Sequence, residues 1–172
     1  MQDYVKKYIE KIDKFLKDKK SSAELILIGG LAMEFYGSPR YTVDIDAEIK
    51  CEDTLYFELV KYLKNEGISC NLSENISGWS IVPLPEGYKY RTKTVYESEN
   101  LNVKVLDPVD FIFSKLLRGT EEDFKDILIV IDKYKISKTQ ILERERFIKY
   151  PKDPETFLFK KKMEHLLTLI EK

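Results

Sequence analysis

The stretch LILIGGLAMEFYGSPRYTVDIDAEI, from Leu25 to Ile49, constrains the fold more than any other part of the chain. Leu25 to Ile28 is a short unbroken apolar run, the mark of a buried strand. Gly29-Gly30 closes it. Leu31 to Tyr36 has the length of a small helix, which Gly37 and Pro39 stop. Then the pattern alternates. Val43, Ile45, Ala47 and Ile49 share one side of a strand, and Asp44, Asp46 and Glu48 share the other. Three like charges along one face repel each other, so the face must be well solvated or must meet something positive. A metal ion is one such partner.

The rest of the chain reads as a helix, a mixed α/β portion and a helical C-terminal third. Tyr4, Val5, Tyr8, Ile9, Ile12, Phe15 and Leu16 recur at helical spacing up to about Lys19. Asp53 or Thr54 caps a helix through Leu55, Leu59, Val60 and Leu63, ending at Gly67. Ile68–Leu72 and Trp79–Leu84 read as strands. The alternation from Tyr88 to Tyr96, followed by NVKVL, reads as a β pair turning near Ser98–Asn100. Asp107-Pro108 opens a helix with cap and proline in the favoured order. Further helices are expected near 108–118, 120–134, 137–147 and 153–171. The class is α+β (α/β), a small mixed β-sheet with flanking helices. We expect a core over 1–134 and a C-terminal helical extension, 135–172, packed on the same domain.

Composition narrows the function. With 172 residues the chain can bury a full core, and a net charge of −1 announces no tail for a polyanion. The high share of Lys and Glu is a weak thermophile signal. No apolar stretch approaches the ~20 residues of a membrane span. The opening MQDYVKKYIEKIDKF is a charged amphipathic helix, unlike a secretory signal. The two cysteines, Cys51 and Cys70, lack metal-type spacing, so both thiols are expected free in a cytoplasmic protein. His165 is the single histidine and has no Ser or Cys companion, which argues against a triad hydrolase. Lys160–Lys162 read as a wet helix face, with an RNA backbone as the alternative. The tyrosines read as strand formers rather than as base-stacking platforms.

The chemistry concentrates in the opening stretch. Side chains two apart on a strand stand ~7 Å apart on one face, close enough for Asp44 and Asp46 to converge on divalent cations. Mg²⁺ takes oxygen ligands and leaves places for water and phosphates. Gly29-Gly30 opens a helix, where exposed N–H groups favour an anion. One short stretch therefore offers a phosphate seat and a metal seat. Taken singly, an acidic strand face is more often mere solubility, and a Gly-Gly is often only a turn. Neither a P-loop nor a G-x-G-x-x-G fingerprint is present.

The conjunction of Gly29, Gly30, Asp44 and Asp46 resembles the nucleotidyltransferase superfamily with the DNA polymerase β-like fold. More narrowly, GGLAMEFYGSPRYTVDIDAEI looks like small bacterial and archaeal proteins related to abortive-infection and toxin–antitoxin (AbiEii-like) nucleotidyltransferases. Arg40 and Thr42 match their R-x-T-x-D-h-D spelling, and LDPVDFIFSKLLRGTEEDFKDI resembles their lysine helix and acidic helix. The likeness spans about Leu25 to Leu128. It implies that Gly29 and Gly30 hold a nucleoside triphosphate, with Asp44 and Asp46 as catalytic ligands of Mg²⁺ or Mn²⁺. Arg40, Thr42 and Lys115 would complete the phosphate site. It also implies transfer of a nucleotide to an acceptor hydroxyl on RNA, a protein or a small molecule, and a cognate partner protein. Arg40 equally suits an ion pair with the acids beside it, and Lys115 a pairing with Asp126 or Glu122. Asp123 and Asp126 read as structural or as support behind the site residues, and Glu48 as a solvated strand acid.

One position departs from the pattern. Such proteins carry a third carboxylate on a later strand, and here the matching text GWSIVPLPEGYKYR puts Ser80 there. A serine is a poor metal ligand and no base at neutral pH. Glu74, Glu97 and Asp107 do not sit in that context, and Asp107 suits a helix cap. Two readings therefore stay open, a live transferase and a degenerate binding protein or toxin–antitoxin component on the same fold.

Overall fold

The computed structural model describes residues 3–37, 42 and 44–170. Two compact units share the chain, and each is traversed twice. The first comprises Met1–Ile76 and Thr92–Val105, the second Ser77–Arg91 and Leu106–Lys172.

The first unit holds α1 (Asp3–Asp18), β1 (Ala23–Ile28), α2 (Gly29–Tyr36), β2 (Asp44–Lys50), α3 (Asp53–Asn65), β3 (Ser69–Ser73), β4 (Lys93–Glu97) and β5 (Leu101–Val105). Its five-stranded sheet runs in the order β3-β2-β1-β5-β4. β1 pairs antiparallel with β2 and parallel with β5, so the sheet is mixed, as the sequence suggested. The register sorts the side chains into two faces. Leu25 and Leu27 share one with Ile49, Ala47, Val103 and Val105, all buried. Ile26 and Ile28 share the other with Glu48, Asp46 and Lys104. The alternation read from Val43 to Ile49 is thus real from Asp44 onward, and Val43 lies outside the described residues.

α1 buries Val5, Ile9, Ile12, Phe15 and Leu16, the stripe its spacing dictates, and Phe15 stacks on Tyr62 of α3 at 4.8 Å. Asp13 accepts from Tyr96 Oη at 2.8 Å and Ser98 Oγ at 2.6 Å, tying α1 to the β4–β5 hairpin. α3 starts after Glu52, which makes no side-chain cap, so neither Asp53 nor Thr54 is its capping residue.

The second unit holds α4 (Pro108–Arg118), α5 (Glu121–Tyr134), α6 (Lys138–Glu145) and α7 (Pro154–Ile170). Asp107 caps α4 by accepting from Val109 N at 3.0 Å, with Pro108 in the first position. Thr120–Asp123 and Ser137–Gln140 form reciprocal capping boxes at α5 and α6. α4 and α5, grouped with the sheet in the sequence reading, cluster with α6 and α7, so the compact units do not divide at Tyr134.

Two local expectations fail. Trp79–Leu84 is no strand: Pro83 and Pro85 carry no N–H to give a ladder, and Leu84 N donates to Ser77 Oγ at 2.9 Å instead. Trp79 is 40% exposed. Tyr88–Arg91 is a 3₁₀ turn, and the strand begins only at Lys93. Among the described residues no helix is long and apolar enough to cross a membrane.

Candidate functional site

The geometry of the first unit follows from one ladder position. β1 ends at Ile28, which pairs with Asp46 of β2. Gly29 comes next and begins α2, so the backbone turns directly beside the Asp46 side chain. Gly29 has a φ of +67°, in the left-handed region that favours glycine. A Cβ there would stand 3.1 Å from both Asp46 Cβ and Cγ and collide with Asp46 Oδ2. Two independent constraints thus demand glycine at this position, the backbone conformation and the carboxylate seated on its Cα.

α2 then leads away from that carboxylate. Its N-cap, Ile28, makes no side-chain hydrogen bond, and its far end closes on Gly37 in the left-handed region, whose N–H reaches Met33 O. Leu31, Ala32, Met33 and Tyr36 are buried and anchor this short helix. Gly30 lies in its first turn. The helix N-terminus, carrying partial positive charge, and the Asp46 carboxylate are therefore neighbours.

Burial grades the acid face of β2. Asp44 is exposed, Asp46 half-buried and Glu48 only 5% exposed. The expectation that Glu48 is a solvated acid is wrong: its Oε2 accepts from Ile76 N at 3.1 Å. Alternation places Glu48 on the polar face, but the turn after β3 folds over it. Thr42 is half-buried ahead of β2, and its Oγ1 accepts from Asp44 N at 3.5 Å, a long contact. Arg40 lies outside the described residues.

Lys115 belongs to the second unit, in a buried ionic group. It is 3% exposed; its Nζ lies 2.7 Å from Asp126 Oδ2 and 3.4 Å from Asp123 Oδ1. Arg118 adds a forked contact to Asp123 at 2.8 and 2.7 Å, and Thr120 donates from N and Oγ1. Burial pushes the Asp123 carboxyl up, but Arg118, Thr120 and Lys115 outweigh it and hold the group well below the usual carboxylate range. A second such group escaped sequence reading. Asp110, fully buried on α4, receives Arg91 Nε and Nη2 at 2.8 and 3.0 Å and Arg144 Nη1 at 2.7 Å. An acid between Val109 and Phe111, on a helix face that is otherwise apolar, was the available signal.

The remaining polar candidates make local contacts within the second unit or stand free of metal-type groupings among the described residues. Lys162 Nζ donates to the carbonyls of Leu117 and Arg118. Lys160 lies over the Tyr150 ring, and Lys161 pairs with Glu164. His165 meets the Phe124 ring edge-on at 5.2 Å. Both cysteines are free, and burial pushes each thiol up, away from the thiolate.

A strand followed at once by a short helix that opens on Gly29-Gly30, and an acidic D-x-D strand paired back on the first, define a nucleotidyltransferase-like core. The sequence agrees: residues 4–153 match the family described as nucleotidyltransferase of unknown function (DUF6036), and the chain belongs to that family. The fold is similar to the crystal structure of an antigenic nucleotidyltransferase-like protein from Paracoccidioides brasiliensis. The two share 15% identity with a TM-score of 0.55, over 98% of this chain and 89% of that one. No curated protein matches the chain.

Proposed function

We propose that the protein is a Mg²⁺- or Mn²⁺-dependent nucleotidyltransferase that moves a nucleotide from a nucleoside triphosphate to an acceptor hydroxyl and releases pyrophosphate. The observation that carries this reading is the Asp46 carboxylate seated on Gly29. It puts a hard anionic oxygen beside the first turn of a helix, where phosphate oxygens are favoured. Gly29 and Gly30 then present backbone to the triphosphate, with Thr42 just ahead of β2; by the resemblance Arg40 belongs to the same phosphate site.

The residues fit the metal. Asp44 and Asp46 offer two carboxylates on one face, and among the described residues no group of three His, Cys, Asp or Glu forms a fuller cage. Mg²⁺ suits such a sparse set, because it keeps several waters and shares the phosphates of its substrate. When bound it would polarise the α-phosphate and ease departure of pyrophosphate. Lys115 already faces two carboxylates, so we assign it to holding α4 against α5 rather than to phosphate.

A second reading rests on Ser80. The sequence match to the third carboxylate that the resemblance implies is this serine, which lies outside any strand; a site lacking that acid would bind nucleotide without turning it over, as a partner-dependent or toxin–antitoxin component. The acceptor classes are RNA, a protein side chain or a small molecule. The first test is thermal stability with each NTP, with Mg²⁺ or EDTA, for wild type and Asp46→Ala. Ligand at 100 times its Kd adds about 2.7 kcal/mol. Metal-dependent stabilisation that Asp46→Ala abolishes supports the site, and its absence with every nucleotide refutes it. Pyrophosphate release with an acceptor then separates transferase from binder.

A further inference from the structure

We propose that Glu48 is a positioning residue for the nucleotide site, holding Asp46 on Gly29 through the turn that closes β3. This rests on the reading above. Glu48 follows Asp46 on the same face of β2, two residues on, yet it is buried rather than wet. Its Oε2 accepts from a backbone group, the Ile76 amide, at 3.1 Å. Ile76 is itself buried.

The bond matters because of where β3 sits. β3 is an edge strand of five residues, paired only along β2. Asp46 faces Asn71 in that ladder and Glu48 faces Ser73, the last residue of the strand. After Ser73 the chain turns, with Asn75 N donating to Ser73 Oγ at 3.2 Å, and Ile76 N then returns to Glu48. Glu48 therefore clamps the end of a short edge strand back onto β2. An edge strand left to itself frays, and its ladder loosens from the end inward. Asp46 stands two residues from that end. On its other side its carboxylate lies over Gly29, where a Cβ would collide with it.

The group that does this must accept a hydrogen bond from a buried amide. A carboxylate does it strongly, and a carboxamide oxygen also does it. Alanine cannot. The role is thus separable from charge. An ionised Glu48 acting by electrostatics on bound cation would lose that action in Glu48→Gln and in Glu48→Ala alike, whereas a positioning Glu48 loses it only in the alanine variant.

The experiment compares wild type, Glu48→Gln and Glu48→Ala. Mn²⁺–ATP affinity is read by electron paramagnetic resonance well below the thermal midpoint of each. Amide exchange over 69–76 is followed in the same samples. Groups that support a ligand site from behind are worth on the order of tenfold or more in metal affinity. Expected are near wild-type affinity for Glu48→Gln, about tenfold weaker binding for Glu48→Ala, and faster exchange at Ile76 in the alanine variant alone. Wild-type affinity in Glu48→Ala overturns the proposal. So does equal loss in both variants, which would assign Glu48 to charge or ligation. If wild type itself binds no Mn²⁺–ATP with any nucleotide substituted, the nucleotide site is what fails, and that outcome is visible before any variant is made.

Discussion

The buried acids of the second unit and the acids of β2 in the first meet different partners. In the second unit each buried carboxylate meets cations: Asp110 has Arg91 and Arg144, Asp123 has Arg118 and Lys115, and Asp126 has Lys115. In the first unit the acids of β2 meet backbone: Asp46 rests on the Gly29 Cα and Glu48 takes the Ile76 amide. A carboxylate neutralised by Arg or Lys is finished chemistry and serves to join helices. On our proposal the β2 acids serve a ligand site as well as the fold, and the contrast predicts which substitutions cost stability and which cost binding.

Lys115→Ala should have the largest effect. It removes the cation that Asp126 shares with Asp123 inside α4 and α5, leaving Asp126 buried beside a gap. Breaking a buried pair from one side costs about 3–5 kcal/mol. Denaturant unfolding should show a loss of that order. By contrast, Asp44→Asn and Asp46→Asn should shift stability by less than about 1 kcal/mol while nucleotide-dependent stabilisation disappears. A stable Lys115→Ala protein that loses nucleotide binding would break the comparison, because it would move Lys115 from structure to site.

Gly29→Ala comes next. The new Cβ meets a non-glycine backbone strain and the Asp46 carboxylate together. Left-handed strain alone costs on the order of 1–3 kcal/mol. Asp46 must rotate away, so nucleotide stabilisation should vanish with it. Retained binding would show that Asp46 does not need its seat on Gly29.

Acid should act on the second unit. The folded Asp123 carboxyl lies well below its ordinary value, so its ionised form stabilises the fold at any pH above about 4. That stabilisation drains away as pH falls below about 4, because the unfolded chain takes up the proton first. Denaturation midpoints measured from pH 6 downward should drop in that range, and Asp123→Asn should start lower and fall less steeply.

These contrasts also show what the sequence could carry. Period-two alternation identified β2, and the Asp107-Pro108 cap located the start of α4, because both signals are local. The burial of Glu48 was not legible. It depends on Ile76, a residue distant in sequence, folding over the strand. Nor was the fate of Trp79–Leu84, where apolar residues suggested a strand and Pro83 and Pro85 forbade its ladder. The Gly29–Asp46 contact was half legible: the residue types pointed to one site, but only the Ile28–Asp46 register brings them together. Arg91 and Arg144 could not be matched to Asp110 by spacing, since they come from separate passages of the chain.

The smallest effect is the sharpest test of the cationic side. Lys162 sends its stem across Gly119, where a Cβ would lie 2.6 Å from its Cδ, and donates to the last carbonyls of α4 at 3.0 Å. It is a C-cap supplied by α7. A cation at a helix C-terminus is worth roughly 0.3–1 kcal/mol. Lys162→Ala should therefore lower stability by about that much, with no change in RNA retention at low salt. Lys160→Ala and Lys161→Ala should cost less, since each leaves only a ring contact or a surface pair. If Lys162→Ala left stability untouched and abolished RNA retention, the lysine run would be a docking face rather than a helix cap.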